Sequence, residues 1–318
     1  MRLRTMAVVA ALGIGGCGGG RAPAVTCAPE VPRRPFRGRV AQRMGDPHHV
    51  TGDVVVAVGT GFEVEARLQY GKLRKDLEHE EVALVVGEGA CGPWSAPVTA
   101  TTDDDGRVRF ARPALARPGT QRFHVIVPGD GSRASGTIRA VAPGTGAVVF
   151  DVDGTLTTDD GELFEDLLGG AADVRPGAVD VARRWDDLGY LVVYVTGRPP
   201  ALRASTARWL DDHGFPRGPL LTADTWGEAL PTAGGVGAMK RARLAALRDA
   251  GLVFAAAYGN AGTDVCAYAE AGVAPARTWI VFDDDGELPA PCPGHAAPNP
   301  LPDYVAHAAT LRDHAAAP

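Results

Sequence analysis

Apolar and polar residues follow two different rhythms along this chain, and the change of rhythm divides it. From about Thr51 to Val141 the apolar positions fall in short runs broken by turn residues. These runs are Val54-Val55-Val56-Ala57-Val58, Val82-Ala83-Leu84-Val85-Val86, Arg107-Val108-Arg109-Phe110, Phe123-His124-Val125-Ile126-Val127 and Thr137-Ile138-Arg139-Ala140-Val141. Such spacing predicts an all-β sandwich of immunoglobulin-like kind. Asp105-Gly106, between Val98-Thr99-Ala100-Thr101 and Arg107-Val108, predicts a hairpin. After Pro143-Gly144-Thr145-Gly146, strand-like runs alternate with helical segments, which predicts a parallel sheet covered by helices. The segment from Pro176 to about Asp187 has proline in its first turn and Gly189 past its end. The next, from about Ala201 to His213, is closed by Gly214 and followed by Pro216. The expected organisation is a sandwich over residues 46–143 and an α/β domain over 144–318.

The first residues read as a processing segment. Arg2 and Arg4 precede an apolar stretch, Met6 to Ile14, that is too short to span a bilayer. Ile14-Gly15-Gly16-Cys17 resembles a bacterial lipobox. It predicts a signal peptide over 1–16, lipidation of Cys17 and a flexible tether over 17–45. The expected location is the cell envelope, with the chain lipid-anchored to a bacterial membrane and facing the periplasm. Cys27, Cys91, Cys266 and Cys292 then remain, and four cysteines allow three pairings. A bond between Cys266 and Cys292, within one domain, is preferred over buried thiols. His48-His49 reads as a solvated loop pair. At 318 residues and 45% apolar the chain can bury two cores, and its net charge of −6 gives no support to a nucleic-acid partner.

The chemistry sits at the ends of the predicted parallel strands, where ligands bind in open α/β sheets. Val148-Val149-Phe150 runs into Asp151-Val152-Asp153-Gly154-Thr155-Leu156-Thr157. Two carboxylates one residue apart leave a strand end on the same side, and they repel unless a cation or phosphoryl group lies between them. Leu191-Val192-Val193-Tyr194-Val195 delivers Thr196-Gly197-Arg198. Lys240 lies near the start of a helical run. Phe254-Ala255-Ala256-Ala257-Tyr258 delivers Gly259-Asn260 and, four residues on, Asp264. Between Asp159 and Arg175 there is room for a flap but not for a folded cap, so the mouth is expected to be open. Leu163, Phe164, Leu167 and Leu168 recur there at helical spacing.

Taken in order, these motifs resemble the four motifs of the haloacid dehalogenase superfamily of phosphotransferases. Asp151-Val152-Asp153-Gly154-Thr155-Leu156-Thr157 with Gly259-Asn260 and Asp264-Val265 is similar to the catalytic domain of the lipins, magnesium-dependent phosphatidate phosphatases. The segments Arg175-Pro176-Gly177, Gly189 to Pro199, His213-Gly214-Phe215-Pro216 and Asp303-Tyr304-Val305-Ala306-His307 extend the likeness to the C-terminal domain of the retinal-degeneration-B/Nir phosphatidylinositol transfer proteins. Those proteins typically lack the first aspartate of the pair and are thought to bind phosphatidate without hydrolysing it. This chain keeps Asp151.

The resemblance implies a Rossmann-like α/β domain with a minimal cap and a phosphomonoester hydrolase that uses Mg²⁺. Asp151 would be the nucleophile and Asp153 the acid and base, with Thr196 and Lys240 donating to phosphoryl oxygens. Asp151, the Asp153 carbonyl and Asp264 would hold the metal. Gly154, Thr155, Gly197, Arg198 and Asn260 would line the substrate, Arg198 either meeting phosphate or forming a surface ion pair. The implied partner is a phospholipid or membrane surface, with phosphatidate as substrate. The alternatives are a non-catalytic phosphatidate-binding module and a phosphatase of a soluble phosphomonoester.

Overall fold

The computed structural model describes residues 29, 31–38, 45–88, 92–158, 172–225, 227–282 and 287–317. The predicted lipobox with Cys17, the tether cysteine Cys27, Cys91 and the four apolar flap residues lie outside these ranges.

Ten strands make the first half: β1 (Val50–Thr51), β2 (Val54–Ala57), β3 (Phe62–Arg67), β4 (Gln69–Tyr70), β5 (Lys75–Asp76), β6 (Glu81–Glu88), β7 (Val98–Thr101), β8 (Arg107–Arg112), β9 (Gly119–Ile126) and β10 (Arg133–Val141). A sheet β1-β3-β8 packs on a sheet β2-β10-β9-β6-β7, with β4 and β5 paired at the side. Val64, Ala66, Val108 and Phe110 from the first meet Val82, Leu84, Phe123, Val125 and Ile138 from the second in one core. β3 reads Phe-Glu-Val-Glu-Ala-Arg with Val64 and Ala66 buried, a plain period-two strand that the sequence reading passed over.

The hairpin expected at Asp105-Gly106 is not formed. β7 pairs with β6 and β8 with β3, so the chain crosses between sheets over Thr102–Gly106. Buried Thr102 fixes the crossing, its hydroxyl donating to the Leu77 carbonyl at 2.5 Å. The turn chemistry itself is present: Asp103 accepts from the amides of Asp105 and Arg107, and Gly106 has φ 67°. A turn signal specifies a reversal of direction, not the strand that will be met afterwards.

The second half is a six-stranded parallel sheet, β13-β12-β11-β14-β15-β16. Its strands are β11 (Thr145–Phe150), β12 (Leu191–Val195), β13 (Leu220–Leu221), β14 (Leu252–Gly259), β15 (Thr278–Val281) and β16 (Asn299–Leu301). The helices are α1 (Ala178–Asp187), α2 (Arg203–Asp212), α3 (Ala238–Asp249), α4 (Gly262–Glu270) and α5 (Tyr304–Thr310). Ala147 and Val149 of β11 face a core shared with α3 and α4. Val148 and Phe150 face one shared with α1 and α5. A strand buried on both faces is a continuous apolar run, which is why the period-two signal is missing there. The expected Cys266–Cys292 disulfide is formed and ties α4 to the segment before β16.

The two halves share contacts. Val141 and Val55 of the sandwich pack into the core under α3. Buried Asp53 accepts from the amides of Thr137, in its own sheet, and Leu220, in β13, at 2.7 and 2.9 Å, and pairs with Arg203 of α2. A cleft of about 440 Å³ opens beside this joint. No helix among the described residues is long and apolar enough to cross a membrane.

Candidate active site

The central strand β11 carries the first motif past its last pairing, and its neighbours β12 and β14 carry the second and fourth. The Asp151 amide donates to the Tyr258 carbonyl at 2.9 Å, so this residue leaves the strand still tied to β14. The chain then coils tightly. The Val152 carbonyl accepts from the amides of Thr155, Leu156 and Thr157, and Gly154 takes φ 68°. Arg175 Nε donates to the Gly154 carbonyl at 2.9 Å, and Thr157 bridges Val174, which draws the two ends of the flap together.

Lys240 reaches in from the first turn of α3. Its Nζ lies 2.7 Å from Asp151 Oδ1 and 2.5 Å from Asp264 Oδ1, with all three side chains at most 4% exposed. Asp264 caps α4: its Oδ2 accepts from the amides of Asn260 at 3.3 Å and Ala261 at 3.1 Å. Gly259 makes room for it, since a Cβ there would stand 2.5 Å from Asp264 Cβ. Burial pushes the Asp151 carboxyl up to about 7; the Lys240 ammonium pulls against that, and the charges of Asp264 and Asp153 add to it. Burial works against the Lys240 charge, but the two carboxylates more than offset it and hold the ammonium above its ordinary range.

Asp153 belongs to a second constellation. Arg198 Nε and Nη2 grip Asp153 Oδ1 at 2.9 and 2.7 Å, and Thr196 Oγ1 donates to Asp153 Oδ2 at 3.0 Å. The other arm of the guanidinium, Nη1, donates to Thr206 Oγ1 at 2.9 Å. Arg198 is buried, which overturns the surface ion pair, and in this arrangement its fork is spent on Asp153 rather than turned to a ligand. Thr196 likewise bonds a carboxylate. Thr206 escaped the sequence reading because an isolated helical threonine carries no signal. Arg175 was noted there only for its resemblance.

Thr155 links the first constellation to the fourth motif. Its Oγ1 lies 3.2 Å from Asp151 Oδ2 and 3.3 Å from Asn260 Oδ1. Gly197 packs so tightly on Val236 that a Cβ would fall 2.6 Å from Val236 Cγ2, so this glycine makes room for the Val236 side chain.

Magnesium needs hard oxygen donors around one point. Asp151 Oδ2 and Asn260 Oδ1 converge on a single hydroxyl and supply such donors. Asp264 spends Oδ1 on Lys240 and Oδ2 on two amides, the contacts of a lysine anchor and helix cap. Among the described residues, no group of three or more His, Cys, Asp or Glu is arranged to hold a metal. The donor set therefore fits a hard cation only with an amide and a carbonyl included.

Comparison with known proteins agrees with this architecture. Residues 47–140 match the family model of the PITM 1-3 beta-sandwich domain, and residues 148–282 match that of the PITM 1-3 LNS2 domain. Membrane-associated phosphatidylinositol transfer protein 1 of Homo sapiens is 33% identical over 277 residues, 83% of this chain and 21% of that protein. Protein retinal degeneration B of Drosophila melanogaster is 33% identical over 239 residues, 74% of this chain and 18% of that protein. The chain thus spans about a fifth of the length of these curated relatives. A solved D,D-heptose 1.7-bisphosphate phosphatase from B. bronchiseptica, complexed with magnesium and phosphate, covers 52% of this chain and 97% of its own. It does so at 19% identity and a TM-score of 0.36, too distant to bear on the chemistry. In sequence and in architecture, the chain carries the β-sandwich domain and, after it, the LNS2 domain of the PITM 1-3 family.

Proposed function

We propose that this protein is a Mg²⁺-dependent phosphomonoesterase acting on phosphatidate or a related phospholipid. The observation that carries the reading is the buried trio Asp151–Lys240–Asp264 at the end of β11, with Asp153 beside it. A carboxylate buried beside two others and one lysine is costly in such a place and useful there as a nucleophile. Asp151 attacks the phosphorus in line with the ester oxygen, forming an aspartyl-phosphate while the alkoxide leaves. Asp153 gives that alkoxide its proton and then takes one from the water that attacks the phosphorus of the acyl phosphate, which releases inorganic phosphate and restores the Asp151 carboxylate. Lys240 neutralises equatorial oxygens and orients Asp151. Asp151, the Asp153 carbonyl and Asn260 would hold Mg²⁺, with Asp264 acting through Lys240 instead of as a ligand. When bound, the cation supplies charge neutralisation to the transferring phosphoryl group.

The lipid part of the reading is supported by the kinship with phosphatidylinositol transfer proteins and by the shortness of the flap. Purified protein should release phosphate from phosphatidate in mixed micelles with higher kcat/KM than from glycerol phosphate or nucleoside monophosphates, and only with Mg²⁺. A soluble phosphomonoester hydrolysed faster than every phospholipid would overturn the lipid substrate and leave the chemistry. The second reading, a module that binds phosphatidate without turnover, is favoured by the grip of Arg198 on Asp153. It predicts phosphatidate binding with no phosphate released from any ester. The membrane anchor is proposed to be an acyl chain on Cys17, which mass spectrometry of the mature N-terminus would detect; a mature chain starting elsewhere and bearing no lipid sinks it.

A further inference from the structure

The sandwich reaches the catalytic acid through one buried carboxylate. Asp53 leaves the β1–β2 turn with its side chain 4% exposed and contacts the second domain at two places. Its Oδ2 accepts from Leu220 N at 2.9 Å, and its Oδ1 pairs with Arg203, which also donates to the Ser135 carbonyl of β10. Each contact is the start of a short path to Asp153.

The first path runs through the sheet. Leu220 and Leu221 pair with Tyr194 and Val195 of β12, and the Thr196 amide donates to the Leu221 carbonyl at 3.0 Å. Thr196 then holds Asp153 Oδ2. The second path runs through α2. Arg203 opens that helix and Thr206 lies one turn on, where it accepts from Arg198 Nη1 at 2.9 Å. Arg198 forks Asp153 Oδ1 and Oδ2. Between Arg198 and α2 the chain has little freedom, because Pro199 and Pro200 enter a 3₁₀ turn. Both groups that orient Asp153 are thus backed by the same carboxylate of the other domain.

We propose that Asp53 is a positioning residue for Asp153, so that the β-sandwich is a working part of the catalytic apparatus and not a spacer. This rests on the phosphatase reading. A general acid must meet the leaving oxygen within a few tenths of an ångström, and small displacements far from the chemistry carry large rate penalties. The leaving group gives the specific readout. An alkyl phosphate needs its oxygen protonated as it departs; an aryl phosphate such as p-nitrophenyl phosphate needs this far less.

The test uses the full chain with D53N, R203M and the double variant D53N/R203M. Asp53→Asn keeps the shape and removes the charge that holds Arg203; Arg203→Met leaves both amide bonds of Asp53 in place. Either should lower kcat on the alkyl phosphate by roughly tenfold to a hundredfold, with kcat on the aryl phosphate falling less than about threefold and KM steady. The double variant should lose no more than D53N alone, since R203M cuts only the path through α2, which D53N already cuts. Near-UV circular dichroism and melting are read alongside; if D53N does not fold, R203M alone carries the comparison. Equal losses on both esters, or wild-type rates in both single variants, overturn the positioning role. A wild-type protein that turns over neither ester overturns the phosphatase reading itself, and this inference with it.

Discussion

The two halves of this molecule treat charge in opposite ways. In the sandwich, Glu65 meets Arg107 and Arg109, and Arg67 meets Asp76, all at least a fifth exposed. Pairs of this kind are solvated, screened by salt, and contribute little to stability. In the parallel-sheet half, Lys240, Asp151 and Asp264 are sealed from water, and Arg198 is buried behind Asp153. Stripping water from such groups costs more than an apolar replacement would, so stability does not explain them. The sandwich keeps one such charge dry, Asp53, at the joint where it meets Arg203; the carboxylates crowded around a single buried lysine belong to the parallel-sheet half.

The largest effect that would break this contrast is chemical. Asp151→Asn should cut turnover at least about a thousandfold while the protein stays folded, because the amide keeps the shape and loses the nucleophile. Activity within tenfold of wild type at saturating substrate and Mg²⁺ would remove Asp151 from the mechanism. Lys240→Met should lower unfolding free energy by about 3–5 kcal/mol in denaturant titrations, since it leaves two buried carboxylates facing each other. Glu65→Gln in the sandwich is the matching control and should shift melting by no more than a couple of degrees or so.

The disulfide gives a further contrast, because among the described residues it lies in the parallel-sheet half alone. Replacing Cys266 and Cys292 together by Ala should cost about 3 kcal/mol, from the loop of 26 residues it closes. An unchanged unfolding midpoint would mean the bond constrains nothing.

One further effect is shared by both halves. Burial lowers His307 in the second half and His49 in the sandwich to about 4. A folded-state pKa below the unfolded value of about 6.5 means protonation favours the unfolded chain. Stability is therefore full above about pH 6.5 and is lost as pH falls toward 4. By pH 5 the loss is at most about 2 kcal/mol for each histidine, less where solvent screens it. His307→Gln should flatten part of that decline; an identical pH profile would show that His307 is not one of the groups responsible.

The centre of the parallel sheet was legible in the sequence because β11, β12 and β14 are nearly continuous apolar runs that give way to Asp151, Thr196 and Asn260. The sandwich was legible only in outline. β3 alternates cleanly and was passed over, and Asp105-Gly106 was read as joining strands that lie in different sheets. Local pattern sets conformation, while pairing is decided by residues far along the chain. The same limit applies in the site. Asp151, Lys240 and Asp264 could be grouped because each marks a strand or helix end, but the hold of Arg198 on Asp153 depends on Thr206. Nothing in the sequence links Asp53 to Arg203, which lie in different domains. That the Asp264 carboxylate is taken up by Lys240 and two amides is likewise decided by contacts the sequence does not show.

The position of β11 at the middle of its sheet also sets an order of events in time. Its partners come from both directions along the chain: Ala147 pairs with Leu191 and Thr145 with Leu252. Closing so long a loop is slow compared with forming a helix or a hairpin. A chain emerging from the ribosome therefore holds both aspartates of the first motif, and then Thr196 and Arg198, well before β14 exists to seat Asp264 and Asn260. During that interval the carboxylates are solvated and harmless. Burial of the Asp151 carboxyl therefore waits for β14, the later of the two strands that flank β11.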